Sequence, residues 1–367
     1  MSLPPCLLFL SPCLSRFLPP GSASSSVLRR VARIARVSRF GLARRRLLAA
    51  GLAMATLVAH AGEPTLPGMP RLPRPTGEMA ARWPGETSMP DAVADSPTLS
   101  RIAQRERIVL GYRQAAVPFS YVDAQDAPTG LAWALCARIV VALQRSMNLP
   151  ALRITPVRVI EQMRAPMVKG EAIDIDCAPS TVTAERSRQV AFSLPYYATD
   201  VRLLVRRGSG IDGIAQLRGL RLAVVQGTTA ERLVRARHAR SGFQLLMARD
   251  YDDAFRMLDA HRAQALALDE VLLEGLRATS KTPDAFEVVG PPLADRPERY
   301  ALVLPNDDPV FKAQVDAALA QMFRNGDMAR LQTTWLQTRV PPHGHEIHVD
   351  PSEDVLALWQ EGGDRAE

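Results

Sequence analysis

Two short stretches of the sequence place hydroxyls, backbone amides and charge where a strand gives way to a turn. In Gly227-Thr228-Thr229-Ala230-Glu231, Thr228 as N-cap and Glu231 at the third helical position make a T-x-x-E capping box. The spacing predicts a helix opening there. Such a helix start offers free N–H groups beside a threonine hydroxyl, which is chemistry for capturing an anion; the plain alternative is a well-capped helix. Ser180-Thr181-Val182-Thr183-Ala184-Glu185-Arg186 repeats the arrangement past a strand ending at Cys177. It adds Arg186, whose planar guanidinium matches the two oxygens of a carboxylate. Arg113 follows a strand predicted at 107–111, and Arg164 falls after one at 152–159. Arginine dominates the cations, the lysines being Lys169, Lys281 and Lys312, so a solvated surface is the ordinary reading of any one arginine. Several at strand ends form a pattern suited to a carboxylate.

Other motifs lead away from chemistry. Gly208-Ser209-Gly210-Ile211-Asp212-Gly213 satisfies G-x-G-x-x-G, but the next strand, near Leu220, leaves no room for the helix that a dinucleotide site requires. His343, His345, Glu346 and His348 cluster as metal ligands could, beyond Pro341-Pro342, where a solvated polar tail is the commoner outcome. H-E-x-x-H, G-x-S-x-G and P-loop patterns are absent from the sequence. No nucleophile has a recognisable local signature, and no cofactor is implied. This leans toward binding rather than catalysis.

The elements that must hold these residues alternate. Strands are predicted at 107–111, 152–159, 173–177, 201–207, 220–226, 243–248, 264–268, 286–289 and 300–304, and helices at 131–147, 229–240, 251–260 and 309–337. This order indicates an α/β fold with mainly parallel sheets, whose ligands gather at the carboxyl ends of the strands.

The chain has 367 residues and a formal net charge of +7, yet residues 1–61 hold nine arginines and no acidic residue. Without them 36 basic residues face 38 acidic ones, a balance of −2, so the case for nucleic acid or an anionic membrane disappears. Hydrophobic residues at 47% and charged ones at 23% fit an ordinary globular chain with room for two units of roughly 100 to 150 residues. Collagen-like, coiled-coil and disulfide-scaffold classes are excluded.

Residues 44–61 read as an export signal: Arg44-Arg45-Arg46, an apolar run from Leu47 to Ala59, then Ala59-His60-Ala61. That run would span only about 20 Å as a helix, against roughly 30 Å of membrane hydrocarbon. Cleavage is expected after Ala61, with the signal proper at about 37–61, and the arginines loosely match the twin-arginine pattern. Residues 62–97, with eight prolines, read as a linker, and 341–367 as a tail with an amphipathic piece at 355–359. Only Cys136 and Cys177 follow the leader; they could pair or stand as two buried thiols.

Taken together, IVLGYRQAAVPFSYVD (108–123), IDIDCAPSTVTAERSRQVAFS (173–193), LRGLRLAVVQGTTAE (217–231), RDYDDAFRMLDAHRAQALALDEVLL (249–273) and the VPP turn at 340–342 resemble the periplasmic solute-binding proteins of ABC transporters for polar amino acids. The resemblance is strongest to the glutamate/aspartate-binding branch and runs from about Leu99 to Leu358. It implies a type II binding-protein fold, two α/β lobes joined by a hinge. Lobe one would be 98–201 plus 303–340, and lobe two 202–302. It also implies a periplasmic monomer, partnered by an inner-membrane permease.

By that resemblance Arg186, Thr181 and Thr229 meet a ligand's α-carboxylate, Asp269 accepts its α-ammonium, and Arg113 and Arg164 hold an acidic side chain. Three contact positions depart from the pattern. Glu161 replaces a small hydroxyl residue, Pro179 a serine and Tyr251 a histidine. A carboxylate three residues from Arg164 could neutralise it, which keeps glutamine and asparagine open as ligands. The usual partner of Cys177 is missing, with Leu302 near its place. Two alternatives share the fold: an enzyme of the cyclohexadienyl dehydratase kind with Glu161 as general acid, and a receptor serving a sensor.

Overall fold

The computed structural model describes residues 93–340 and 345–364. The predicted leader, most of the linker and His343 lie outside these residues. The chain runs through α1 (Pro97–Arg105), β1 (Arg107–Tyr112), β2 (Ala115–Ala116), β3 (Ser120–Val122), β4 (Pro128–Thr129), α2 (Leu131–Ser146), β5 (Arg153–Arg158), α3 (Arg164–Lys169), β6 (Ile175–Thr181), β7 (Ala191–Phe192) and β8 (Tyr197–Thr199). It continues with β9 (Val201–Arg206), β10 (Arg221–Val225), α4 (Thr229–Ser241), β11 (Gln244–Ala248), α5 (Tyr251–Asp259), β12 (Ala265–Asp269), α6 (Glu270–Ala278) and β13 (Phe286–Val289). It returns through β14 (Glu298–Leu304) to α7 (Pro309–Arg324), α8 (Asp327–Gln332) and α9 (Glu353–Asp364).

Two sheets define two lobes. In the first, the order is β5-β1-β6-β14-β7 with β8 also on β14; β1 is parallel to β5 and β6, and β14 is antiparallel to β6. In the second, the order is β11-β10-β12-β9-β13, with β10 parallel to β11 and β12, and β9 antiparallel. β6 and β12 are buried at every residue, as expected of strands covered on both faces. The chain crosses between sheets at Asp200 and again just before Glu298, and these crossings pair with each other, Glu298 opposite Thr199. The carboxyl ends of β1, β6, β10 and β12 deliver Arg113, Thr181, Gly227 and Asp269 to one region.

Several elements differ from expectation. β6 runs on to Thr181 rather than stopping at Cys177. Only a short 3₁₀ turn, Arg186–Arg188, follows, so the second anticipated helix start does not form. The predicted helix at 309–337 breaks at Asn325–Gly326, where Gly326 has φ +74°. α6 follows β12 directly and was not among the predicted helices; Asp269 is its N-cap. α9 is longer than the predicted amphipathic piece and buries Val355, Leu358 and Trp359, whose indole donates to the Tyr196 carbonyl at 2.9 Å. Gly208 and Gly210 adopt φ near +74° and +73° in a loop that leads into a 3₁₀ turn, Ile214–Leu217, with no dinucleotide helix.

Cys136 and Cys177 form a disulfide between α2 and β6 with Cα atoms 6.1 Å apart, which decides between the two alternatives left by the sequence. It staples the strand that carries Asp176, Pro179 and Thr181 to the helix behind it. At the other edge Asp308 caps α7 through Phe311 N (2.8 Å) and also accepts from Ser96 Oγ (2.7 Å) and Thr98 N (2.8 Å), so one buried carboxylate anchors two helix starts.

Candidate functional site

The site begins with Arg113, which leaves β1 fully enclosed and faces Asp176 of the adjacent β6 in two parallel bonds, Nη1 to Oδ1 at 2.7 Å and Nη2 to Oδ2 at 2.9 Å. Its Nε lies 3.2 Å from Glu161 Oε1. Burial alone would lower this guanidinium, but Asp176 and Glu161 outweigh it and raise it. The expectation that Glu161 would neutralise Arg164 is therefore corrected: the carboxylate points to Arg113. Arg164 Nε instead donates to the backbone carbonyl of Glu161 at 2.7 Å. Its other contacts, to Ser180 Oγ and the Gly227 carbonyl, are long at 3.5 Å. Burial, then the charge of Arg113, lower Arg164, so an added anion would favour its charged form.

Arg186 bridges the lobes. Nη1 donates to the Thr181 carbonyl at 2.8 Å and Nη2 to the Gly227 carbonyl at 2.9 Å. Burial and the nearby Arg164 push it down as well. Across the gap, Thr228 caps α4 by accepting from Glu231 N at 3.1 Å, while Glu231 reaches back to Gly227 N at 2.7 Å, one residue earlier than the usual box partner. Gly227 sits at φ +77°, which a side chain would strain, and a Cβ there would meet Gln162 Cγ of lobe one at 3.0 Å. The amides of Thr229 and Ala230, in the first turn of α4, have no helical acceptor.

Asp269 ends β12 from lobe two; its Oδ1 is buried without a partner. Burial, then the adjacent Glu298, hold its carboxyl well above the usual range. Tyr251 is enclosed beside Glu161, Arg113 and Arg164, and burial raises its hydroxyl. Pro179 is buried within β6. Arg113, Glu161, Arg164, Thr181, Arg186, Thr229, Tyr251 and Asp269 are thus linked by contacts or charge around one region, Pro179 lies on the strand between Asp176 and Thr181, and the structure adds two carboxylates. Asp176 had a signal in the sequence, a charge inside the apolar run IDIDCAP that demands a buried partner. Glu298 had none, because it follows Asp295-Arg296-Pro297 and reads as loop. Its Oε2 accepts from Thr181 Oγ1 at 2.7 Å and from Thr229 Oγ1 at 2.5 Å, one hydroxyl from each lobe.

The lobes stand closed on these side chains. Gln162 Nε2 donates to Gln226 Oε1 across the gap at 2.8 Å, and the space beside Arg113, Glu161 and Tyr251 is about 10 Å³. A separate cleft of about 540 Å³ lies between β8, α6 and residues 346–354; Arg277 lines it, and Arg113, Arg164 and Arg186 do not. In the tail Glu346 is taken by Arg339 Nε at 2.9 Å and His348 Nε2 at 2.6 Å. Among the described residues no three His, Cys, Asp or Glu side chains form a group that could hold a metal.

Two lobes on parallel-rich sheets, crossed by paired hinge strands and closing over converging charged groups, define a two-lobed solute-binding protein. The chain belongs to the bacterial extracellular solute-binding proteins, family 3, whose pattern matches residues 108–338. It is 33% identical over 277 residues to a glutamate/aspartate import solute-binding protein of Escherichia coli, covering 75% of this chain and 91% of the relative. An L-glutamate/L-aspartate-binding protein of Pseudomonas aeruginosa is 32% identical over 272 residues, 73% of this chain and 89% of that one. The fold is also similar to an arginine-binding protein from T. maritima, with a TM-score of 0.58 at 23% identity over 65% of this chain and 98% of the other.

Proposed function

We propose that this protein captures an acidic amino acid, glutamate or aspartate, outside the cytoplasmic membrane and presents it to the permease of an ABC importer. The observation that carries this reading is the convergence of Arg113, Arg164 and Arg186 from one lobe with Asp269 from the other in a single enclosed site. In it Arg186 and the first turn of α4, with Thr229, hold the α-carboxylate, Thr181 lies beside them, and Asp269 takes the α-ammonium. Arg164 binds the side-chain carboxylate, with Arg113, Tyr251 and Pro179 forming the wall. Glu161 works here as an ion-pair acceptor for Arg113, which speaks for binding rather than for acid catalysis of a dehydratase kind. Export with cleavage after Ala61 and a monomeric state belong to the same proposal; the lobe boundary expected at 302–303 is corrected to just before Glu298, because the whole of β14 lies in the first sheet.

A second reading follows from the two carboxylates on Arg113. With that guanidinium already satisfied, a neutral amide side chain would meet less competition, so glutamine or asparagine is the alternative ligand. Calorimetric titration of ligand-stripped protein with glutamate, aspartate, glutamine and asparagine separates the readings. The proposal predicts tighter binding of the two acids; absence of heat with all four would refute it.

A further inference from the structure

Glu298 is the one carboxylate of the site that stands on a crossing strand, and both hydroxyls expected to serve the ligand's carboxylate are turned onto it. Thr181 and Thr229 donate to the same oxygen, Oε2, so they fix its position from both lobes. Beside it lies Asp269, with a buried oxygen, Oδ1, that has no partner. Two carboxylates this close in an enclosed site repel one another, and the group that relieves both is a cation between them. We infer that Glu298 and Asp269 together form the ammonium subsite, with Thr181 and Thr229 acting as its positioning residues rather than as carboxylate donors.

The inference rests on the proposed amino-acid ligand and changes how its charges are shared. The α-carboxylate is left to Arg186 and the amides opening α4. The ammonium gains a second charged acceptor, which makes it the group the site selects most strongly. The other titratable groups facing the pair are Arg186, Tyr251 and Tyr300. Burial keeps both phenols in the neutral form, so in the ligand-free protein relief of the repulsion falls to a proton held on Asp269. An arriving ammonium would displace that proton to solvent.

Calorimetry with L-glutamate and with glutarate, which has both carboxylates and no ammonium, tests this. In Glu298→Gln the preference for glutamate over glutarate should fall roughly 30-fold, the scale of one charge-assisted hydrogen bond. An unchanged preference in a variant with wild-type thermal unfolding overturns the inference while leaving the proposed function standing. Wild-type protein supplies the second measurement. Titrations at pH 7 in buffers of different ionisation enthalpy should show about one proton released with glutamate and none with glutarate, as displacement from Asp269 requires. No release with glutamate overturns the inference, and failure of wild type to bind any amino acid overturns the proposed function itself.

Discussion

Gly275 of α6 lies against Val117 so closely that a Cβ at that position would sit 2.1 Å from the Val117 carbonyl oxygen. Gly275 follows β12 of the second sheet and Val117 follows β2 in lobe one, so this contact joins the two lobes in the closed structure. Alanine in a helix interior is favoured over glycine by about 1 kcal/mol, so Gly275→Ala should fold at least as well in an open form. Closure, however, would drive a methyl group into backbone. The expected result is a loss of glutamate affinity of roughly tenfold or more, equivalent to about 1.4 kcal/mol, with unfolding of the ligand-free protein unimpaired. Small-angle scattering should show that glutamate no longer compacts the variant. Wild-type affinity would mean that Val117 and Gly275 separate in the liganded form.

Arg113 is held by carboxylates on two sides, and its removal strands both. Breaking a buried ion pair from one side costs about 3 to 5 kcal/mol because the remaining charge is uncompensated. Arg113→Met is predicted to lose that much in urea unfolding. Adding Asp176→Asn should recover part of the loss, since the double variant no longer buries the Asp176 charge alone. If the double variant is less stable than Arg113→Met, the arginine is not held mainly through Asp176.

The Cys136–Cys177 disulfide closes a loop with a sequence separation of 41. Chain-entropy arguments assign such a loop about 4 kcal/mol of stability. Reduction, or the paired replacement Cys136→Ala with Cys177→Ala, should lower the urea midpoint accordingly. Because β6 carries Thr181 beyond the disulfide, glutamate affinity should fall too. Equal midpoints with and without reductant would show that the disulfide contributes no net stability.

Legibility in the sequence followed the physical range of each signal. Strands such as β10, reading RLAVV, and helices such as α4, with its Thr228 cap, carry their own instructions, and both were legible. α6 was not, because its LDEVLLEGL sequence continues an apolar strand without a break and only Asp269 marks the change. Arg113, Arg164 and Arg186 were visible as residues at strand ends. Which carboxylate each would face was not, since Glu161 is near Arg164 in sequence and near Arg113 in space. Glu298 was invisible for the same reason: its meaning comes from Thr181 and Thr229, which lie 117 and 69 residues away. Pairings over such distances are properties of the sheet order and of closure, not of local pattern.

The raised carboxyl of Asp269 gives the ligand-free protein a distinctive pH dependence. Burial, then Glu298, make the folded state hold a proton that the unfolded chain releases near pH 4. Where the folded state binds more protons, stability falls as pH rises, so this group's contribution is favourable below about pH 4 and declines steadily above it toward the raised folded value. Asp269→Asn removes this titrating group and leaves Glu298 beside a neutral amide. The stability of wild type relative to Asp269→Asn, followed by urea unfolding, should therefore decrease from pH 4 to pH 8 without ligand. Saturating glutamate should reverse the trend, because its ammonium favours the ionised carboxylate and binds wild type better than the amide. A difference between the two proteins that stays level with pH would mean that Asp269 is already ionised in the empty site, held by Arg186 rather than by a proton.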